Sequence, residues 1–321
     1  MVPFDRPEHR AVATALLAMD HDLLTNRACW FGGGTEIVLD LGEYRLSKDI
    51  DFLCADADGY REMRSLVVSR GAAALFEGSV REERAFRSDQ YGIRGIIAAQ
   101  GISLRVEIFR ESRIALAGEP DRVLGVPRLV TADRIAEKLL ANADRGQDRA
   151  TAYRDAIDLG MLALYRGPFP GTALAKAEHA YGDDVASKLV WALERLANAD
   201  ESRHASVALG MALPLFEAAA RALLGEFRCL RPGSGLDRRM PAIPQHPRHS
   251  HMVDASMDGR RVAIRRRPMV GQIAGPLDNP IGPAAVFWGR EAWAREIYCV
   301  DGVRFPDRQA WQRALAMRAG A

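Results

Sequence analysis

Apolar residues along the first third of the chain change their spacing several times, and each change marks an element. Over 9–26, Val12, Leu16, Leu17, Leu23 and Leu24 fall near helical spacing, which predicts a helix. Cys29-Trp30-Phe31 is a short strand-like run ending in Gly32-Gly33-Gly34. Thr35 follows, a helix is expected over 36–41, and Gly42 is placed to end it. From Asp49 to Leu53 polar and apolar residues alternate, the pattern of a strand. Residues 60–76 read as helix. Residues 91–98 and 102–109 read as two strands joined by a turn at Ala99-Gln100-Gly101.

Beyond about residue 115 the character changes. Residues 131–145, 151–165 and most of 172–227 are rich in Ala and Leu with helical periodicity. Residues 228–283 are rich in Arg, Pro and Gly and read as loop, with a hairpin turn expected at Asp258-Gly259. Residues 298–305 predict a hairpin on the Asp301-Gly302 turn, and Asp307 is placed to cap a final short helix through Trp311 and Leu315. The expected organisation is an α+β head over 1–115, a helical domain over 116–227, a basic linker or insert over 228–283, and a small hairpin–helix segment over 284–321.

Composition narrows the class. With 321 residues, 48% hydrophobic and 27% charged, the chain is an ordinary globular sequence, not a coiled coil, collagen or disordered polymer. The net charge of +2 hides a split. Residues 228–268 hold ten Arg and three Asp, a net of +7, which leaves −5 for the rest. Four widely spaced cysteines without a Cys-x-x-Cys argue against a disulfide framework or a cysteine-based zinc site. The start lacks a signal pattern. The longest uncharged apolar stretch, 204–216, is too short to span a membrane and contains Pro214, so a cytoplasmic location without a membrane partner is expected.

Asp49 and Asp51 carry the first chemical signal. Two residues apart on a strand, they point to one side, while Ile50 and Phe52 point to the other. A divalent cation with oxygen ligands, Mg²⁺ above all, would reconcile the two charges. Alone, the pattern is weak and fits two solvated acids on an exposed strand face better. Upstream, Gly33-Gly34-Thr35 at a strand-to-helix turn allows backbone to approach a phosphate at a helix N-terminus, although a plain tight turn fits too. Downstream, Glu107 shares a strand face with Arg105, and becomes a third carboxylate if its strand pairs beside Asp49–Asp51.

Gly-Gly at a helix start, Asp-x-Asp and a later acid together resemble the DNA polymerase β nucleotidyltransferase superfamily. Gly32-Gly33-Gly34-Thr35 followed by Arg45-x-Ser47-x-Asp49-Ile50-Asp51-Phe52 is more closely similar to the AbiEii/AbiGii toxin family. So are Glu137-Lys138, Ala141, Arg145 and Arg154-Asp155-x-x-Asp158-Leu159, in the same order. The similarity covers roughly 25–165. Three departures stand out: Glu107 in place of a common Asp, Glu36 where a small or apolar residue is usual, and a tail beyond 230 outside the likeness.

The resemblance implies a nucleotidyltransferase-type mixed sheet and transfer of a nucleoside monophosphate from an NTP. Asp49, Asp51 and Glu107 would hold Mg²⁺ or Mn²⁺, with Glu107 helping to deprotonate the acceptor. Gly33, Gly34, Thr35, Ser47, Arg45 and Asp158 would form the triphosphate site. Lys138 would offset phosphate charge, and Asp155 would orient Lys138 or the acceptor hydroxyl. The same Lys and Asp residues also fit an interhelical salt-bridge network. The implied acceptor is RNA, such as a tRNA 3′ end, and the implied role a toxin with a cognate antitoxin. Transfer to a protein or an aminoglycoside-type small molecule, and an inactive nucleotide-binding module, are the alternatives.

The basic segment adds two features. Arg265-Arg266-Arg267 could contact nucleic-acid phosphates or form a solvated linker. His246, His249 and His251 lack a nearby set of acidic or thiol ligands, and read as part of a polar loop. No Ser-His-Asp or Cys-His nucleophile can be argued from spacing.

Overall fold

Pro7 opens the first helix, α1 (Pro7–Leu17), at a position where its missing N–H costs nothing. The apolar run predicted as one helix over 9–26 is broken here into two. Asp20 accepts a hydrogen bond from the Leu23 N–H at 2.9 Å and so starts α2 (His21–Asn26) afresh. The computed structural model describes residues 4–230 except 79 and 122, together with 253–257, 260–264, 285–288, 294–300 and 303–305. Residues 1–241 and 242–321 form two separate units.

In the first unit β1 (Cys29–Gly32) leads into α3 (Gly33–Asp40), and β2 (Ile50–Cys54) into α4 (Ala57–Arg70). Asp56 caps α4 by accepting from the Gly59 N–H at 2.6 Å. Then follow β3 (Arg81–Ser88), β4 (Gly92–Ala99), β5 (Ile102–Arg110), β6 (Gly118–Pro120) and β7 (Pro127–Leu129). They form one mixed sheet in the order β3-β4-β5-β2-β1-β7-β6. β1 and β2 run antiparallel with Gly32 opposite Asp51, and β2 and β5 run parallel with Asp51 beside Glu107. Strands β3, β6 and β7 are absent from the sequence reading. The β3 sequence, Arg-Glu-Glu-Arg-Ala-Phe-Arg-Ser, carries no apolar alternation, because it is an edge strand with mostly exposed side chains.

One face of the sheet is dry. Phe31, Phe52, Ile93, Ile97, Val106 and Ile108 pack there against α1 and α4. Phe31 and Phe52 are cross-strand partners with ring centroids 5.5 Å apart, and burying each ring contributes roughly 2–3 kcal/mol. Cys29 and Cys54 are also cross-strand partners, both buried as free thiols.

The helices continue with α5 (Thr131–Arg145), α6 (Arg154–Arg166), α7 (Gly171–Tyr181), α8 (Asp184–Leu196), α9 (Ala199–Ala208) and α10 (Leu213–Leu230). The helix predicted from 151 starts only at Arg154, because Ala152 and Tyr153 take left-handed backbone angles. No single described helix is long and apolar enough to cross a membrane.

The second unit contains β8 (Val253–Met257), β9 (Arg260–Ile264), β10 (Ala285–Trp288), β11 (Ala294–Val300) and β12 (Val303–Phe305), in the sheet order β12-β11-β10-β9-β8. Two paired strands thus stand in the segment read as loop. Met257 lies opposite Arg260, so Asp258-Gly259 joins β8 to β9. Val300 pairs with Val303 around Asp301-Gly302. The expected final helix from Asp307 lies outside the described residues.

Gly160 shows how closely the helices pack. A Cβ there would sit 2.2 Å from the Ala219 carbonyl oxygen of α10. Gly160→Ala should therefore force α6 and α10 apart and cost about 1–3 kcal/mol, read as a lowered thermal midpoint. An unchanged midpoint would show that the two helices do not meet through this glycine.

Candidate active site

The turn from β1 into α3 is made by glycines for a steric reason. Gly33 has φ +74°, and a Cβ on it would lie 2.6 Å from Asp51 Oδ2. A Cβ on Gly34 would lie 2.4 Å from Arg45 Nη2 and 3.5 Å from Lys138 Nζ. Backbone at the start of α3 is thereby bracketed by an acid on one side and two cations on the other. The first N–H groups of a helix have no intrahelical partners, so this turn presents donors toward an anion.

Asp51 and Glu107 are lateral neighbours on β2 and β5, as the sequence reading required. Asp49 precedes β2 and is more exposed. Arg105 bridges Asp49 at 3.2 Å and Glu107 at 3.3 Å, and Arg94 reaches Glu107 at 3.3 Å. Burial pushes the Asp51 carboxyl up to about 6, and the negative charges of Asp49 and Glu107 add to the push. The donor set suits a hard cation. Among the described residues, however, no three acids converge tightly enough to hold one ion, since Asp49 is drawn toward Arg105.

Behind the turn lies a buried ionic knot. Asp158 of α6 accepts from Arg45 Nε at 2.8 Å, Arg45 Nη2 at 2.7 Å and the Tyr44 hydroxyl at 2.6 Å. Lys138 Nζ on α5 lies 2.9 Å from both Asp155 and Asp158. Arg145, one heptad further along α5, closes on Asp155 at 2.7 Å. Burial alone would raise both carboxyls, but Lys138 and the two arginines hold them well below the usual range. Lys138, Arg145, Asp155 and Asp158 thus form the salt-bridge network that their spacing allowed, and Lys138 is held by two acids close to Gly34.

A cavity of about 430 Å³ opens beside the turn. Gly33, Gly34, Asp51, Lys138 and Arg145 line it. Asp49, Glu107, Thr35, Arg45, Ser47, Asp155 and Asp158 are not among its lining residues. Thr35 is buried with its hydroxyl 2.8 Å from that of Ser47, and the Arg45 guanidinium is committed to Asp158 and the Leu46 carbonyl. These residues support the turn from behind. Arg265, Arg266, Arg267 and the three histidines near 250 lie outside the described residues.

Several groups escaped sequence reasoning. The far wall carries Arg113, which holds Glu111 by two donors, Glu137 at 3.1 Å and Asp144 at 3.2 Å. Burial and the neighbouring Glu111 charge raise Glu137 to about 8. Buried His9 bridges α1 to the turn before Asp49. It accepts from the Ser47 N–H at 3.3 Å, so its Nδ1–H points to Glu43 at 2.8 Å. Spacing could not reveal these partners, which lie 34–38 residues apart in sequence. Glu36, the departure at the start of α3, is buried against Arg134 at 3.0 Å, and burial raises it to about 7.

Asp51 tests this electrostatic account. In the folded state its ionised form is disfavoured up to about pH 6, whereas in an unfolded chain it ionises near pH 4. The carboxyl's favourable contribution is therefore complete below about pH 4 and lost as pH rises through about 6. With a chelator present, Asp51→Asn should melt a few degrees above the wild type at pH 8, and the gap should close near pH 4. A variant that melts lower at pH 8 would contradict the crowding of charge described here.

Comparison with known proteins agrees with the geometry. The family model described as nucleotidyl transferase AbiEii toxin, type IV TA system, matches residues 15–275. No curated protein and no solved structure matches the chain. The matched range includes the glycine turn, the three carboxylates and the Lys138–Asp155–Asp158 knot. The chain belongs to the AbiEii family of nucleotidyl transferase toxins of type IV toxin–antitoxin systems.

Proposed function

We propose that this nucleotidyltransferase moves a nucleoside monophosphate from an NTP to the 3′ hydroxyl of an RNA, a tRNA end being the leading acceptor, and that a cognate antitoxin opposes it. The observation that carries the reading is the Gly33-Gly34 turn set between Asp51 and Lys138. Helix N–H groups at the turn bind the triphosphate, and Lys138 offsets its charge. Asp155 and Asp158 hold the ammonium in place. Asp51 and Glu107 stand side by side, and Asp49, once released from Arg105, would complete with them a ligand set for Mg²⁺ or Mn²⁺, whose charge would stabilise the phosphoryl group and the departing pyrophosphate.

The acceptor oxygen attacks the α-phosphorus, the bond from that phosphorus to the bridging oxygen breaks, and pyrophosphate leaves. The hydroxyl proton passes to a carboxylate, for which Glu107 stands beside Asp51. Arg45, Tyr44, Arg145, Asp155 and Asp158 act by holding position; the reacting atoms need only the turn, the carboxylates and Lys138.

Incubating the full chain with Mg²⁺, each labelled NTP in turn and total tRNA tests this reading. Label should enter tRNA, chelation should abolish it, and Asp51→Ala should slow it by on the order of 10³-fold. Label appearing in protein alone would replace the RNA acceptor with a protein one. No label with any acceptor would overturn the catalytic reading.

A further inference from the structure

The sheet has a second face, and its outer half carries charge in place of apolar residues. Ile93, Ile97, Leu104, Val106 and Ile108 point to the dry core. Arg94, Arg105, Glu107 and Phe109 alternate with them and point the other way. Register extends that face onto the edge strand: Arg87 lies opposite Arg94, Arg84 opposite Ile96, and Arg81 opposite Ala98. Arg81, Arg84, Arg87, Arg94 and Arg105 are all exposed. They form a stripe that begins beside Glu107 and runs to the sheet edge. At about 4.8 Å per strand, it extends roughly 15 Å from Asp51.

Three features mark the stripe as more than a solvated face. Arg87 and Arg94 are like charges directly opposite each other; Asp89 and Glu107, at 3.2 and 3.3 Å, offset Arg94, and Arg87 is left to solvent or to a bound anion. Arg81, Arg94 and Arg105 are each paired with an acid, whereas Arg84 and Arg87 form no ion pair among the described residues. At the inner end, Tyr91 and Phe109 line the cavity mouth, Tyr91 is 67% exposed, and the Arg94 guanidinium stacks 5.7 Å from the Phe109 ring centre. Arginines tracking a backbone toward aromatic rings make a surface suited to single-stranded nucleic acid.

We infer that this face of β3, β4 and β5 is the docking track for the acceptor RNA, guiding its 3′ end across the arginines to Asp51. The inference rests on the RNA-acceptor reading above. It assigns RNA to the first unit of the chain, not to Arg265–Arg267.

The test uses the full chain and a fluorescein-labelled single-stranded RNA, with tRNA as substrate. Arg84→Glu with Arg87→Glu should weaken RNA binding about 10-fold and flatten the salt slope by about 1.4, at 0.7 for each phosphate contact. The KM for tRNA should rise while that for NTP stays unchanged. Arg61→Glu with Arg70→Glu, on exposed positions of α4, should leave RNA affinity within about twofold. Equal losses in both variants would reduce the effect to overall charge and overturn the track. So would unaltered binding in the Arg84/Arg87 variant while the wild type still labels tRNA. A wild type that labels protein and never RNA overturns the acceptor reading itself, and the track with it.

Discussion

The site depends first on the buried carboxylate of Asp158. It receives three hydrogen bonds from Arg45 and Tyr44 and a further charge from Lys138, all in the interior. Removing one partner of such a set strands an opposite charge in a medium that cannot solvate it. Arg45 precedes β2, Lys138 belongs to α5 and Asp158 to α6. One carboxylate therefore fixes the distance between the helices and the sheet. Gly34 closes the arrangement, because any side chain there would collide with Arg45.

Asp51 shows the opposite logic. Its neighbours are acids, and its carboxyl is held uncomfortably in the charged form at neutral pH. A site that tolerates this arrangement without a function would be strained to no purpose. A nucleotide-transfer centre needs concentrated negative charge to attract cations, which then meet a polyanion. Arg94 and Arg105 temper the charge from the solvent side. Lys138 tempers the other side, so the pocket presents acid and base on facing walls. The +2 sum of the whole chain conceals both populations.

Much of this was legible in the sequence because its signals are local. Alternation around Ile50 and Phe52 identified the strand that carries Asp51, and two-residue spacing on 102–109 set Glu107 on the face opposite the core. The seven-residue spacing of Lys138 and Arg145 placed them on one helical face, and both close on Asp155. What local pattern could not give is pairing between distant elements. The Asp158–Arg45 bond spans 113 residues. Edge strand β3 carries no apolar period to detect, and left-handed angles at Ala152 and Tyr153 delayed α6 without a glycine to announce them. Glu36, which looked like a departure from family pattern, is used internally against Arg134.

The central claim is that the ionic knot aims Lys138 at the triphosphate. Direct titration of each NTP into wild type and Lys138→Gln, with Ca²⁺ present to block turnover, measures it. Arg45 and Arg145 still pair with Asp158 and Asp155 in that variant, so the helices should remain folded by circular dichroism. The account predicts at least about tenfold weaker NTP binding in the folded variant, the scale of one lost charge-assisted contact. Equal affinity in the two proteins would contradict it, and would leave the knot a structural clamp with no part in holding the nucleotide.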